Sequence, residues 1–190
     1  MRRTFFNTPV IRHFCLALSW IGLKCAGWKL EGRPPKELKY VLIAVPHTSN
    51  WDFPLTLALA FLLRFDIYWM GKDSLFKGPL GPVMSWLGGL PIDRSKANNV
   101  VKSTIDAFNN HDRLIVLIPP EGTRSKVAEW KKGFYHIAHG AGVPIGRGFL
   151  DYGRKVGGFG PTFYPTGDVD KDIADIKKFY QDITGKYTDQ

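Results

Sequence analysis

Cysteine is scarce in this chain. Cys15 and Cys25 are the only two, and neither a CxxC pair nor a Cys/His cluster accompanies them, so a thiol-rich zinc framework and a disulfide scaffold are both excluded as first readings. Both read as core cysteines. The apolar run from Phe14 to Leu23 falls short of the ~20 residues of a spanning helix, and no small-residue cleavage site follows it to suggest a secretory signal. No Gly-rich loop ends in Lys-Ser/Thr, and the stretch around Gly71 and Asp73 does not match a dinucleotide fingerprint, which removes the common nucleotide-binding folds. Tandem repeats, low-complexity tracts and charged tails are also missing.

What is present is the material for one core. The chain has 190 residues, 44% of them hydrophobic, enough for a single substantial domain but short for two enzymatic ones. A formal charge of +9 favours phosphate-bearing or anionic surface partners, without separating a lipid head group from nucleic acid. Near the N terminus, Arg12, His13 and Lys24 bracket the Phe14 to Leu23 run, which contains Trp20. Such a helix can lie at a bilayer surface with its basic side chains reaching phosphates, or it can cover the domain core. We therefore divide the chain into an interfacial segment over 1–30 and a main domain over 31–190.

The main domain alternates strand and helix signals. Tyr40 to Val45 is a strand ended by Pro46, and Phe53 to Leu63, rich in Leu and Ala, is a helix that tolerates Pro54 in its first turn and that Asp52 can cap. Further strands are expected at Ile67 to Met70, Leu90 to Ile92, Leu114 to Ile118 and Val143 to Ile145. Helices are expected over 96–109 and 132–139, and on the face carrying Ile173, Ile176, Phe179, Tyr180 and Ile183. This order predicts an α/β fold, a single-domain mixed sheet flanked by helices, with an amphipathic N-terminal helix.

His47 and Asp52 fall at the first strand-to-helix junction. A neutral His47 can take a proton from an alcohol attacking an activated acyl group, with Asp52 orienting the ring; the plainer reading has Asp52 capping the helix and His47 bound to a local carbonyl. A second loop, Glu121-Gly122-Thr123-Arg124-Ser125, follows an apolar strand. There Arg124 can grip phosphate, Glu121 can contact an acceptor hydroxyl or hold a basic neighbour, Gly122 permits close backbone approach, and Thr123 or Ser125 can add a donor. The bland alternative is a structural salt-bridge turn. Arg94, at the end of Leu90 to Ile92, is a further phosphate candidate that Asp93 can neutralise, and Lys72 is either a phosphate contact or a solvated lysine. His111, His136 and His139 lack spaced partners and read as surface or packing residues, so no metal site is expected.

Taken together, these blocks resemble the glycerophospholipid acyltransferase superfamily, in particular small bacterial 1-acylglycerol-3-phosphate acyltransferase-like proteins. His47 to Asp52 matches the His-four-residues-Asp motif, Gly89 to Arg94 resembles the second block, Glu121 to Ser125 matches the third, and Gly142 to Ile145 resembles the fourth. The resemblance implies that His47 is the general base and that Asp52 orients it. It assigns Arg94 and Arg124 to phosphate, Glu121 to the glycerol portion, and Pro144 to the wall of the site. The implied reaction moves a fatty acyl group from acyl-CoA or acyl-carrier protein to 1-acylglycerol 3-phosphate, giving phosphatidic acid, with no other cofactor. Anionic membrane lipid is the expected surface, at the cytoplasmic face and in a peripheral or monotopic pose. Another lysolipid, such as a lyso-ornithine lipid, is the alternative acceptor. Non-catalytic binding of anionic lipid or nucleic acid explains the charge but not the ordered loops, and no basic helix or aromatic single-strand motif supports nucleic acid.

Overall fold

The alternation of the strand Lys39–Val45 sets the architecture. Tyr40 and Leu42 point to one face, Val41, Ile43 and Val45 to the other, and all five are buried, so this strand is covered on both sides. The computed structural model describes residues 4–92, 97–125 and 127–187. Within them lie α1 (Pro9–Cys25), β1 (Lys29–Glu31), β2 (Lys39–Val45), α2 (Asp52–Leu63), β3 (Tyr68–Lys72), α3 (Gly81–Trp86) and β4 (Gly89–Ile92). These are followed by α4 (Ala97–Asn109), β5 (Leu114–Leu117), α5 (Gly133–Gly140), β6 (Ile145–Asp151), β7 (Val156–Phe159) and α6 (Val169–Phe179).

One seven-stranded sheet runs in the order β1-β7-β6-β2-β5-β3-β4, and it is mixed because β6 and β7 alone pair antiparallel. On one face Tyr40, Leu42, Ile67 and Ile115 pack with Ala60, Phe61 and Phe65 at α2 and with Phe5 and Phe6 ahead of α1. On the other, Val41, Ile43 and Val116 meet Phe108 of α4, Phe134 and Ile137 of α5, and Ile173 and Ile176 of α6. Ile43 is fully buried, and truncating it to Ala would cost about 2–5 kcal/mol. The α/β sandwich expected from the sequence is the fold observed. Strands β2 to β6 are mutually parallel, so their C-terminal ends share one rim, the place where such sheets bind ligands.

Several local expectations shift. The strand expected at Val143 to Ile145 starts only at Ile145 and continues to Asp151, and β1 and β7 carry no strong sequence signal. A boundary between residues 30 and 31 falls inside β1, which pairs with β7. The terminal helix closes at Phe179, leaving Ile183 beyond it. Cys15 packs partly buried against the aromatic cluster, whereas Cys25 is exposed rather than in the core. Among the described residues no helix is long and apolar enough to cross a membrane.

Candidate active site

β2 delivers the first functional side chain. The Val45–Pro46 peptide is cis, His47 follows, and α2 begins at Asp52. The Asp52 carboxylate turns back over this loop rather than forward onto the helix. Its Oδ2 accepts from His47 Nδ1 and from the backbone N–H groups of Thr48 and Ser49, each at 2.9 Å. Its Oδ1 accepts the Tyr152 hydroxyl at 2.7 Å. The expected helix cap is thus replaced by a loop clamp, and the Ser49 hydroxyl accepts the Trp51 N–H at 3.1 Å.

This geometry fixes protonation. Burial raises the carboxyl pKa of Asp52, but hydrogen bonds from His47, Tyr152 and Ser49 outweigh it, and the net value lies below the ordinary range. An ionised carboxylate offers only lone pairs, so Nδ1 of His47 carries a hydrogen, and in the neutral ring this leaves Nε2 with the lone pair of a base.

The third block meets the first directly. β5 adjoins β2, and Glu121, beyond Pro119 and Pro120, places Oε2 2.7 Å from the His47 backbone nitrogen and accepts its hydrogen. Burial pushes the Glu121 carboxyl up despite that bond. One oxygen of Glu121 is therefore committed to holding the histidine loop. Gly122 adopts a φ of +66°, and a Cβ there would sit 2.9 Å from the Lys131 ammonium nitrogen. The missing side chain lets the Lys131 stem pass close over Gly122. The Thr123 hydroxyl accepts the Ser125 N–H at 3.4 Å, which makes it a turn residue.

A cavity of about 430 Å³ collects these groups. Pro46, His47, Thr48, Glu121, Arg124, Ser125 and Val127 form one side, and Gln181, Ile183, Thr184, Gly185 and Tyr187 the other. The C-terminal segment is strapped there by its backbone. Lys186 and Tyr187 donate N–H groups to Thr48 Oγ1 at 2.9 and 3.4 Å, and Thr184 accepts the Tyr152 N–H at 2.9 Å. Sequence reading missed both Tyr152 and this wall, because their neighbours are set by tertiary contacts 100 and 138 residues apart. A larger cavity, about 570 Å³ and mostly apolar, lies between α4 and β3 to β5 and shares no residue with the first. Its one histidine, His111, is bonded through Nδ1 to the Ala107 carbonyl, and none of His47, Asp52, Glu121 and Arg124 lines it.

The remaining candidates divide. Lys72 ends β3 on the same rim, exposed and two strands from β2, roughly 10 Å across the sheet, and it does not line the His47 cavity. Arg94 lies outside the described residues; β4, which precedes it, ends with Ile92 paired to Lys72. Pro144 is corrected. It precedes β6, where Ile145 pairs with Val41 and Phe149 with Val45, so it sits buried at the opposite rim, roughly 16 Å along the sheet from the level of Val45, which leads to His47, and cannot wall the site. His136 and His139 are exposed, with the His139 ring stacked on Tyr135. Among the described residues no group of three or more His, Cys, Asp or Glu side chains converges as a metal site would require.

The Acyltransferase family model matches residues 29–146, a stretch that contains His47, Asp52, Lys72 and the Glu121 loop and stops before Tyr152. The crystal structure of the 1-acyl-sn-glycerophosphate (LPA) acyltransferase PlsC from Thermotoga maritima is similar with a TM-score of 0.62, over 89% of this chain and 78% of that one. At 18% identity this likeness is one of fold. No curated protein sequence matches. With the family model covering more than half of its length, the chain belongs to the Acyltransferase family.

Proposed function

We propose that the protein transfers a fatty acyl group from acyl-CoA or acyl-carrier protein to the free hydroxyl of 1-acylglycerol 3-phosphate, forming phosphatidic acid. The observation that carries this reading is the pairing of His47 Nδ1 with Asp52 at the mouth of a cavity that also holds Arg124. Nε2 takes the proton of the acceptor hydroxyl as its oxygen attacks the thioester carbonyl carbon; the tetrahedral adduct then collapses, the C–S bond breaks, and the thiolate leaves with the proton returned by the imidazolium. Asp52 stabilises that imidazolium. Arg124 faces the acceptor phosphate, with Lys72 as a further cation of the same rim, while Arg94 is given to the phosphate by the sequence resemblance alone. Glu121 holds the histidine loop and offers its second oxygen to the glycerol.

Supporting a membrane-bound acceptor is the outer face of α1. Val10, Phe14, Leu18 and Ile21 recur at helical spacing and are 82, 62, 52 and 51% exposed, while Lys24 lies over the Trp20 ring at 4.7 Å. An apolar stripe with a basic aromatic border suits a bilayer interface, and we assign the protein a peripheral or monotopic place at the cytoplasmic leaflet.

The test is a mass-resolved assay pairing both donor types with a panel of lysolipids. Phosphatidic acid is the expected product, lost in His47→Ala with the fold intact. Arg124→Ala should impair phosphate-bearing acceptors selectively. Turnover confined to a lyso-ornithine lipid or another head group would replace the acceptor, and unchanged turnover in His47→Ala would remove the base. Flotation with anionic phospholipid vesicles should capture the protein and lose Phe14→Asp/Leu18→Asp; equal capture of both would refute the α1 assignment.

A further inference from the structure

Oδ2 of Asp52 is gathered by three N–H groups, while Oδ1 is met by the hydroxyl of Tyr152. Asp52 is only 5% exposed, so Oδ1 cannot rely on bulk water. Tyr152 comes directly after β6, which lies parallel to β2, and this brings the phenol to the rim from the strand next to the histidine loop. Its ring is fixed from two sides. Trp28 meets it edge-on, with centroids 5.1 Å apart and planes at 87°, and the Leu23, Leu59 and Leu150 cluster packs against it. Its backbone N–H is tied to the C-terminal wall at Thr184.

We propose that Tyr152 is a positioning residue for acyl transfer, holding Oδ1 so that the carboxylate torsion keeps Oδ2 aimed at His47 Nδ1. A carboxylate turns as one plane, so fixing either oxygen fixes the other. Without the hydroxyl, Oδ1 is buried and unmatched, and the plane gains by rotating toward any donor or water it can reach. The Thr48 and Ser49 amides still restrain Oδ2, so the loss is graded rather than complete. Burial and the adjoining carboxylate hold the Tyr152 phenol well above its ordinary pKa, which keeps it a donor. The residue lies beyond the stretch covered by the family model.

This inference rests on His47 as the base, and its test separates the two. Tyr152→Phe keeps the ring on Trp28 and removes only the donor. We expect kcat to fall about three- to thirtyfold with KM for the lysolipid unchanged. In an Asp52→Ala background the same substitution should add nothing to the loss in kcat, because no side-chain plane remains for the hydroxyl to hold. Imidazole ¹⁵N resonances of the intact protein, which need no turnover, should report Nδ1-protonated His47 in the parent and a mixture of tautomers in Tyr152→Phe. Full kcat, an equal loss in the Asp52→Ala background, or an unchanged imidazole spectrum would each overturn the proposal. Activity surviving in His47→Ala would instead remove the base and leave the spectrum to judge the tyrosine.

Discussion

Replacing Asp52 by Asn isolates charge from architecture at the heart of the dyad. Three N–H groups converge on Oδ2, so the amide oxygen must occupy that site, and the amide nitrogen then faces Tyr152, whose hydroxyl can turn to accept. All four contacts survive in neutral form, including the one that keeps the hydrogen on His47 Nδ1. What disappears is the carboxylate opposite the imidazolium formed during transfer. With charge centres about 4 Å apart and an effective dielectric near 20, appropriate because His47 retains 27% side-chain exposure, that attraction is about 4 kcal/mol. The expected loss in kcat is therefore about a thousandfold. Stability should change by only about 1–2 kcal/mol, since charged hydrogen bonds become neutral ones while the desolvation of the carboxylate is relieved. Asp52→Ala, by contrast, strands the Thr48 and Ser49 amides and the Tyr152 hydroxyl, and should destabilise by about 3–5 kcal/mol. Single-turnover acyl transfer beside urea unfolding reads both quantities. KM should hold in the Asn variant, because Asp52 does not line the cavity. Retention of more than about a third of wild-type kcat by a folded Asp52→Asn protein would falsify the electrostatic role.

Other perturbations follow from the same contacts. Gly185→Ala puts a Cβ 2.7 Å from Thr48 Cγ2 and 2.8 Å from its Oγ1, a side chain already pinned by Lys186 and Tyr187, so overpacking of about 1–3 kcal/mol should displace the wall and lower turnover; a variant with unchanged Tm and rate refutes it. The Tyr40 hydroxyl is buried with no hydrogen-bond partner among the described residues, so Tyr40→Phe should stabilise by about 1 kcal/mol, roughly 2–4 °C in Tm, and a lower Tm would show a partner there. Asp52, Asp151 and Asp172 are buried yet held below the ordinary carboxyl range, by His47 and Tyr152, by Arg154, and by Tyr135 and Thr166. The unfolded chain takes up protons first, so their stabilisation is present above about pH 4 and lost as pH falls through the folded-state values; Glu121, raised by burial, works in the opposite sense. Urea midpoints from pH 7 to 3 should fall steeply at the acid end and less so in Asp172→Asn, and parallel curves would contradict this.

Legibility followed how local each signal was. β2, α2 and β5 were readable because their apolar residues are contiguous and bounded by Pro46, Arg64 and Pro119. β7 was not, since Val156-Gly157-Gly158-Phe159 reads as a loop until β1 is beside it. A Cβ on Gly158 would lie 1.7 Å from the Glu31 carbonyl oxygen, so the glycine that weakens the strand signal is what admits its neighbour. The fourth block misled for a related reason. Val143-Pro144-Ile145 was legible as an extended segment, but which rim it served depended on the direction of β6.

His47, Asp52, Glu121 and Arg124 were legible as candidates from sequence alone, because the chemistry proposed for them is carried by residue type at fixed spacing along two short loops. The tertiary structure decided how they are arranged. It turned Asp52 onto its own loop, set Glu121 on the His47 amide, and brought Tyr152 and the 181–187 wall from far along the chain. The physical reason is that hydrogen-bond partners are chosen by proximity in space, and the parallel register of β5, β2 and β6 alone makes these distant segments neighbours.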